Sequence, residues 1–286
     1  LSPRPPPRIA GSAAVRRDGP AEPPAGRRTS AHPGRTTTLL VSVVNRSRTL
    51  ADAEVLRALR AINRQLAEDV EPHWKFGARL RLDGVAGPAR GRPAPPAGPR
   101  GDALLTIADR ATAAGAGAEG YHDLGRGDVA VGFVFLDVCR AAGDAWTAAL
   151  SHEAIELAAD PLNNLLVQGP HPHDRRRQVF HAFELCDAVQ AEGYEIEGVA
   201  VSNFVLPAYF ATPAAPGVRT DFLGRPAHGE ALAPFGIAPG GSLTFYDPAL
   251  RRARWTTATA PGDEPAERRV AAKRAAALTR LARRAG

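Results

Sequence analysis

Leu150-Ser151-His152-Glu153-Ala154-Ile155-Glu156-Leu157-Ala158-Ala159-Asp160-Pro161 is the stretch on which the fold reading turns. The run from Trp146 to Ala159 is apolar and predicts a helix, and Pro161 stops it. In a helix, His152 and Glu156 are i and i+4 and lie one turn apart on one face. Glu153 sits beside them. Leu150, Ala154, Leu157 and Ala158 fall on the opposite face and suit packing.

Ionisable residues on an otherwise apolar helix are costly without a partner, and a metal ion is one such partner. Two ligands at i and i+4 with a carboxylate between them is the geometry of the zinc-peptidase helix, with Glu156 in place of the second His. With 8 His in 286 residues, an HExxE spelling arises by chance about 0.02 times per chain of this composition. Zinc takes three protein ligands and keeps an open position for water, whose pKa it lowers from 15.7 toward about 7. A carboxylate that is not a ligand then takes the proton, and Glu153 is the candidate for that base. The bland alternative is a surface helix with His and Glu on its wet face.

A third ligand is expected from Phe180-His181-Ala182-Phe183-Glu184-Leu185-Cys186-Asp187. Glu184 would complete a His/Glu/Glu set. Asp187 is either the ligand instead or a partner that orients His152. His181 is a weaker alternative, and Cys186 reads as a small buried residue. His171 and His173, in a Pro-rich run, read as exposed loop residues. Tyr121-His122-Asp123 reads first as a turn, with a substrate-binding or oxyanion-stabilising role as the alternative. Tyr194, Asn203 and Tyr209 are weaker candidates for lining the site.

Outward from this core, Thr37–Val44 is a β-branched strand. Val55, Leu56, Leu59, Ile62 and Leu66 recur at helical steps through about Val70. Arg79–Leu82 alternates as a short half-buried strand. Residues 84–101 read as an exposed loop. Ala103–Ile107 and Val129–Leu136 are further strands. The chain is expected to be irregular from Pro161 to about Arg177. Short strands near Tyr194–Ile196 and Ala200–Phe204, a late hairpin (Ser242–Tyr246 with Arg254–Thr257) and an Ala/Arg-rich helix over 264–284 complete it. The order strand, helix, strand, strand, strand, helix, with a looser C-terminal half, predicts an α+β fold. Three regions follow: a disordered Pro/Arg-rich leader over 1–35, a metal-binding domain over 36–210, and a C-terminal extension over 211–286.

The net charge of +6 is concentrated at the two ends, around a nearly neutral middle. Lysine occurs only at Lys75 and Lys273, so the basic bias is almost wholly arginine. No aromatic residues interleave with the basic leader, which argues for solvated tails rather than a nucleic-acid footprint. No apolar run approaches the roughly 20 residues of a membrane span. Two cysteines do not make a disulfide framework. The sequence has no Met and opens on Leu1, so its N-terminus reads as trimmed or processed, which would hide any export signal. The expected compartment stays open between cytoplasmic and secreted. The zero Met count also excludes the Met-turn branch of zinc peptidases.

Ser151-His152-Glu153-x-x-Glu156-x-x-x-Asp160-Pro161, Glu184-x-Cys186-Asp187, Tyr194–Val199 and Ser202-Asn203-Phe204 together resemble a group of uncharacterised bacterial proteins. Their pattern is an SHExxE helix ending in Asp-Pro, followed by a Glu-x-x-Asp element. The chain is also distantly similar to the plant phosphate-induced (exordium) proteins, which carry a related HExxE helix. The resemblance runs from about Thr36 to Phe210. It implies a zincin-like fold, a twisted mixed sheet with the metal-binding helix beneath its edge strand, and a metallopeptidase-like site closest to that of gluzincins. The expectation is therefore a zinc-dependent hydrolase acting on a peptide or protein, with His152, Glu156 and Glu184 or Asp187 on the metal and Glu153 as base. The competing expectation is a non-catalytic zincin-like binding protein whose carboxylates hold a structural zinc or calcium ion.

Overall fold

The computed structural model describes residues 37–84, 101–111, 118–125, 129–212, 217–226 and 230–258. The expected leader, nearly all of the expected 84–101 loop and the expected helix over 264–284 lie outside them.

The first strand, β1 (Thr37–Asn45), is β-branched and buries Val41 and Val43 completely. Helix α1 (Asp52–Gln65) follows, its first turn fastened where Glu54 Oε2 accepts a hydrogen bond from the Ala51 N–H at 3.0 Å. Of the predicted stripe, Val55, Leu59, Ile62 and Leu66 are buried, while Leu56 is 44% exposed and lies off the buried face. The helix runs on through a π turn (Leu66–Val70) into a last turn, α2 (Glu71–Trp74), and ends at Lys75 in the left-handed conformation, φ 60°. Strand β2 (Phe76–Gly84) returns parallel to β1 and is longer than Arg79–Leu82, the extent predicted.

Strands β3 (Ala103–Ala108), β4 (Gly120–Leu124) and β5 (Ala130–Phe135) complete a sheet of order β2-β1-β3-β5-β4. The first four are parallel, and β4 runs antiparallel to β5 at the edge. Ala103, Leu105 and Ile107 of β3 are fully buried, while Leu104 and Ala108 between and beyond them are half-buried, so one face of the sheet is covered. After a short α3 (Leu136–Ala142), helix α4 (Trp146–Ala159) spans the residues expected of it. Gly132 of β5 lets it come close: a β-carbon there would stand 3.1 Å from Leu157 Cδ1 and 2.4 Å from Leu105 Cδ2.

The C-terminal half is more ordered than predicted. Pro161–Arg177 is not irregular throughout, because β6 (Leu166–His171) and β7 (Asp174–Ala182) form a hairpin inside it. They join β10 (Ser242–Asp247) and β11 (Arg252–Thr257) in an antiparallel sheet of order β11-β10-β7-β6. Pro170 is accommodated because β6 is an edge strand. Between them, β8 (Gly193–Ile196) and β9 (Val199–Ser202) form a tight hairpin. Its two-residue turn, Glu197-Gly198, has φ of 51° and 71°, as a type I′ turn requires. The fold is mixed α+β, and no helix among the described residues is long and apolar enough to cross a membrane.

Candidate metal centre

Helix α4 is buried on nearly every side. Its ionisable residues are inside: His152 is 6% exposed, Glu153 3% and Glu156 4%. The helix start is fixed by a buried polar network. Ser151 Oγ donates to Gln65 Oε1 at 2.6 Å and accepts from the Ser202 N–H at 3.0 Å. Gln65 Nε2 donates back to the Ser202 carbonyl at 2.8 Å. The motif helix is thereby pinned to α1 and β9 at the residue before His152.

The predicted i, i+4 pair is in place: His152 Nε2 lies 3.0 Å from Glu156 Oε1. The same nitrogen lies 3.3 Å from Asp187 Oδ1. Asp187 opens a short 3₁₀ turn, Asp187–Val189, on the segment that enters from β7. The Cys186 N–H approaches Glu156 Oε1 at 3.4 Å, and the Cys186 sulfur lies within 4.8 Å of the His152 and Glu156 donor atoms. Glu184 is half-buried and belongs to neither buried metal-ligand cluster found among the described residues. His181 lies on β7, donating Nε2–H to the Pro170 carbonyl at 2.9 Å and packing against Phe235.

A second group of donors lies on the other flank. His122 Nδ1, on β4, stands 3.4 Å from Glu153 Oε2 and 3.5 Å from Glu156 Oε2. The turn expected at Tyr121-His122-Asp123 is instead the edge strand. His122 pairs across from Gly132, so the two share the face on which α4 packs. Glu153 fits beneath because β4 begins with Gly120, at which a β-carbon would meet Glu153 Oε1 at 2.7 Å. Thirty residues separate His122 from His152 in the chain, and only strand register joins them; the alternation Gly120, His122, Leu124 on one face was the signal available.

Electrostatics follow from this packing. Burial opposes a charge on His122, but the facing Glu153 and Glu156 carboxylates outweigh it and raise its pKa to about 10. Burial and Asp187 oppose the ionised form of Glu156, yet the charge of His152 and the contact with His122 hold it below the ordinary carboxylate range. Asp160 closes the helix, its Oδ2 accepting from the Leu165 N–H at 2.7 Å. The loop it folds carries Asn163, whose side chain donates to the His122 carbonyl at 3.1 Å and ties the motif helix to the edge strand.

Compared with known proteins, the chain matches no family model, no curated protein and no solved structure. Ligand atoms held 2.0–2.2 Å from a tetrahedral ion stand about 3.3–3.6 Å apart, and the His152 contacts are near this spacing. The buried His152 and Glu156 donor atoms, with the Cys186 sulfur within 4.8 Å, could hold a metal ion. Tyr194, Asn203 and Tyr209 do structural work. Tyr194 donates to Asp69 at 2.6 Å, Asn203 to Glu192 and Asp221, and Tyr209 to the Gly236 carbonyl.

Proposed function

We propose that the chain is a zinc-dependent hydrolase, a metallopeptidase on a zincin-like scaffold. Two close contacts of His152 Nε2 on a buried helix, with Glu156 Oε1 at 3.0 Å and with Asp187 Oδ1 of the neighbouring segment at 3.3 Å, with Glu153 beside them, carry this reading. Asp187 is preferred to Glu184 as third ligand because it faces His152. Zinc held there supplies Lewis acidity. Glu153 takes the proton of the attacking water, and its burial under β4 keeps bulk water from competing for it. The mixed sheet, with a single antiparallel edge strand above the motif helix, supports the zincin-like assignment. Among the described residues strand β4 pairs with β5 on one side only, so an extended peptide can add along its other edge. The order of motifs supports kinship with the bacterial SHExxE proteins and, more distantly, the plant phosphate-induced proteins.

A structural-site reading has one observation in its favour. If the Cys186 sulfur joins His152, Glu156 and Asp187, four protein ligands close the site and leave no open position. The His152 nitrogen favours zinc over calcium in either reading, and the Cys186 sulfur adds to that preference in the second. The decisive experiment loads the purified chain with a single equivalent of zinc and screens a peptide library, then repeats both with Glu153→Gln. The hydrolase reading expects zinc retained and cleavage abolished. Zinc bound without cleavage by the native chain supports the structural site instead, and no zinc at all overturns both.

A further inference from the structure

We propose that the molecule holds a second cation site, formed by His122 Nδ1, Glu153 Oε2 and Glu156 Oε2, with the Glu156 carboxylate bridging it to the first. The two oxygens of Glu156 serve different partners: Oε1 faces His152 at 3.0 Å and Oε2 faces His122 at 3.5 Å. Positions 152, 153 and 156 form a triangle on one helix face, with β4 on one flank and the 186–187 segment on the other. The middle carboxylate therefore looks both ways.

Distance separates this arrangement from an ordinary ion pair. Charge-assisted N–H···O bonds close to about 2.7–2.9 Å. The His122 contacts stand at 3.4 and 3.5 Å. That spacing is the edge of a tetrahedron whose corners lie about 2.0–2.2 Å from its centre. The independent sign is Glu153 itself: it is 3% exposed, and its Oε2 accepts no hydrogen bond although it points at His122. Among the described residues neither Glu153 nor Glu156 has an arginine or lysine partner. With His122 protonated the two groups form an ion pair too long for a hydrogen bond; with His122 neutral the buried oxygen has no donor among the described residues, which is costly, and a cation between it and His122 removes that cost.

The inference rests on the proposed hydrolase only for the first ion. It adds that Glu153 cannot accept a proton while its oxygen holds a cation, so a filled second site switches the base off and excess metal inhibits.

The test is metal stoichiometry on the full chain, stripped with a chelator, reloaded with zinc, and measured by native mass spectrometry and elemental analysis. Two zinc ions per chain are expected, falling to one in His122→Gln and one in His152→Gln. His122→Asn, with circular dichroism of each variant, guards against loss by misfolding. Reloading with Mn(II) gives a second readout, because ions bridged by one carboxylate lie about 3.5–4 Å apart and couple magnetically. One zinc in the native chain, kept in His122→Gln and lost in His152→Gln, overturns the second site and leaves the hydrolase reading standing. Two uncoupled Mn(II) ions also overturn it. No zinc in any form overturns both.

Discussion

Gly120 and Glu153 are in contact so close that a single methyl group does not fit between them: a β-carbon on Gly120 would stand 2.7 Å from Oε1 and 2.8 Å from Cγ of Glu153. The carbonyl of Phe133, 2.8 Å from the same point, blocks retreat toward the sheet. Gly120→Ala must therefore push Glu153 off its seat or bend the edge strand. Overpacking of this kind costs about 1–3 kcal/mol. Urea denaturation of the variant should show a loss in that range. An unchanged midpoint would mean that β4 does not clamp the helix.

Ser151→Ala tests the other anchor of the motif. The hydroxyl is fully buried and joins Gln65 Oε1 to the Ser202 N–H. Its removal leaves a buried acceptor and a buried donor unpaired, at about 1–3 kcal/mol. Equilibrium unfolding should show the loss, and Ser151→Thr, which keeps the hydroxyl, should recover part of it. Equal stability of Ser151→Ala and the native chain would contradict the network.

These two anchors also mark how far the sequence could be read. Helix α4 was legible to the residue, because an apolar run bounded by Asp160-Pro161 has only one reading. Strand β1 and the Ser242–Thr257 hairpin were legible from β-branched runs and turn spacing. Strands β6 and β7 were not. Pro170 and Pro172 argue against a strand locally, and Asp174-Arg175-Arg176-Arg177 has no apolar alternation. Among the described residues strand β6 pairs only with β7, and β7 is joined to the sheet by β10, more than sixty residues away. The site divides in the same way. His152, Glu153 and Glu156 follow from helical spacing; the neighbouring segment offered Glu184 first and Asp187 as the alternative, because spacing alone does not say which carboxylate turns toward His152. His122 enters through the register of β4 on β5: the alternation of Gly120, His122 and Leu124 places it on one face, but does not say that this face meets helix α4.

The pH dependence of stability has an identifiable contributor in His181. Burial lowers its pKa below the ordinary 6.5, the hydrogen bond to Pro170 opposes that, and His171 is the charged neighbour that lowers it further. Its Nδ1 has no hydrogen-bond partner, so the neutral ring with the proton on Nε2 fits the site. The sign follows from linkage. Below pH 6.5 the unfolded chain takes up a proton that the folded chain resists, so this contribution is complete above pH 6.5 and is lost as pH falls through the folded value. Unfolding curves between pH 7.5 and 5 should show stability falling, and His181→Phe, which keeps a ring against Phe235 and Phe245, should flatten that fall. Parallel pH profiles for the two proteins would remove His181 from the account.

The third metal ligand can be assigned by affinity. Asp187 Oδ1 is 3.3 Å from His152 Nε2, although neither Asp187 nor Glu184 belongs to the two buried donor clusters found among the described residues. A residue that merely orients a ligand costs about 10–100-fold in metal affinity when mutated. A residue that holds the ion must cost more than that, because the donor itself is gone. Asp187→Asn is therefore expected to weaken zinc binding by more than about 100-fold in a chelator-competition titration. Glu184→Gln is expected to stay within a few-fold of the native chain. A loss of about 10–100-fold for Asp187→Asn would make that carboxylate an orienting partner of His152. The reverse ranking, with Glu184→Gln the damaging change, would return the third position to Glu184 and require the 183–187 segment to turn toward the helix when metal binds.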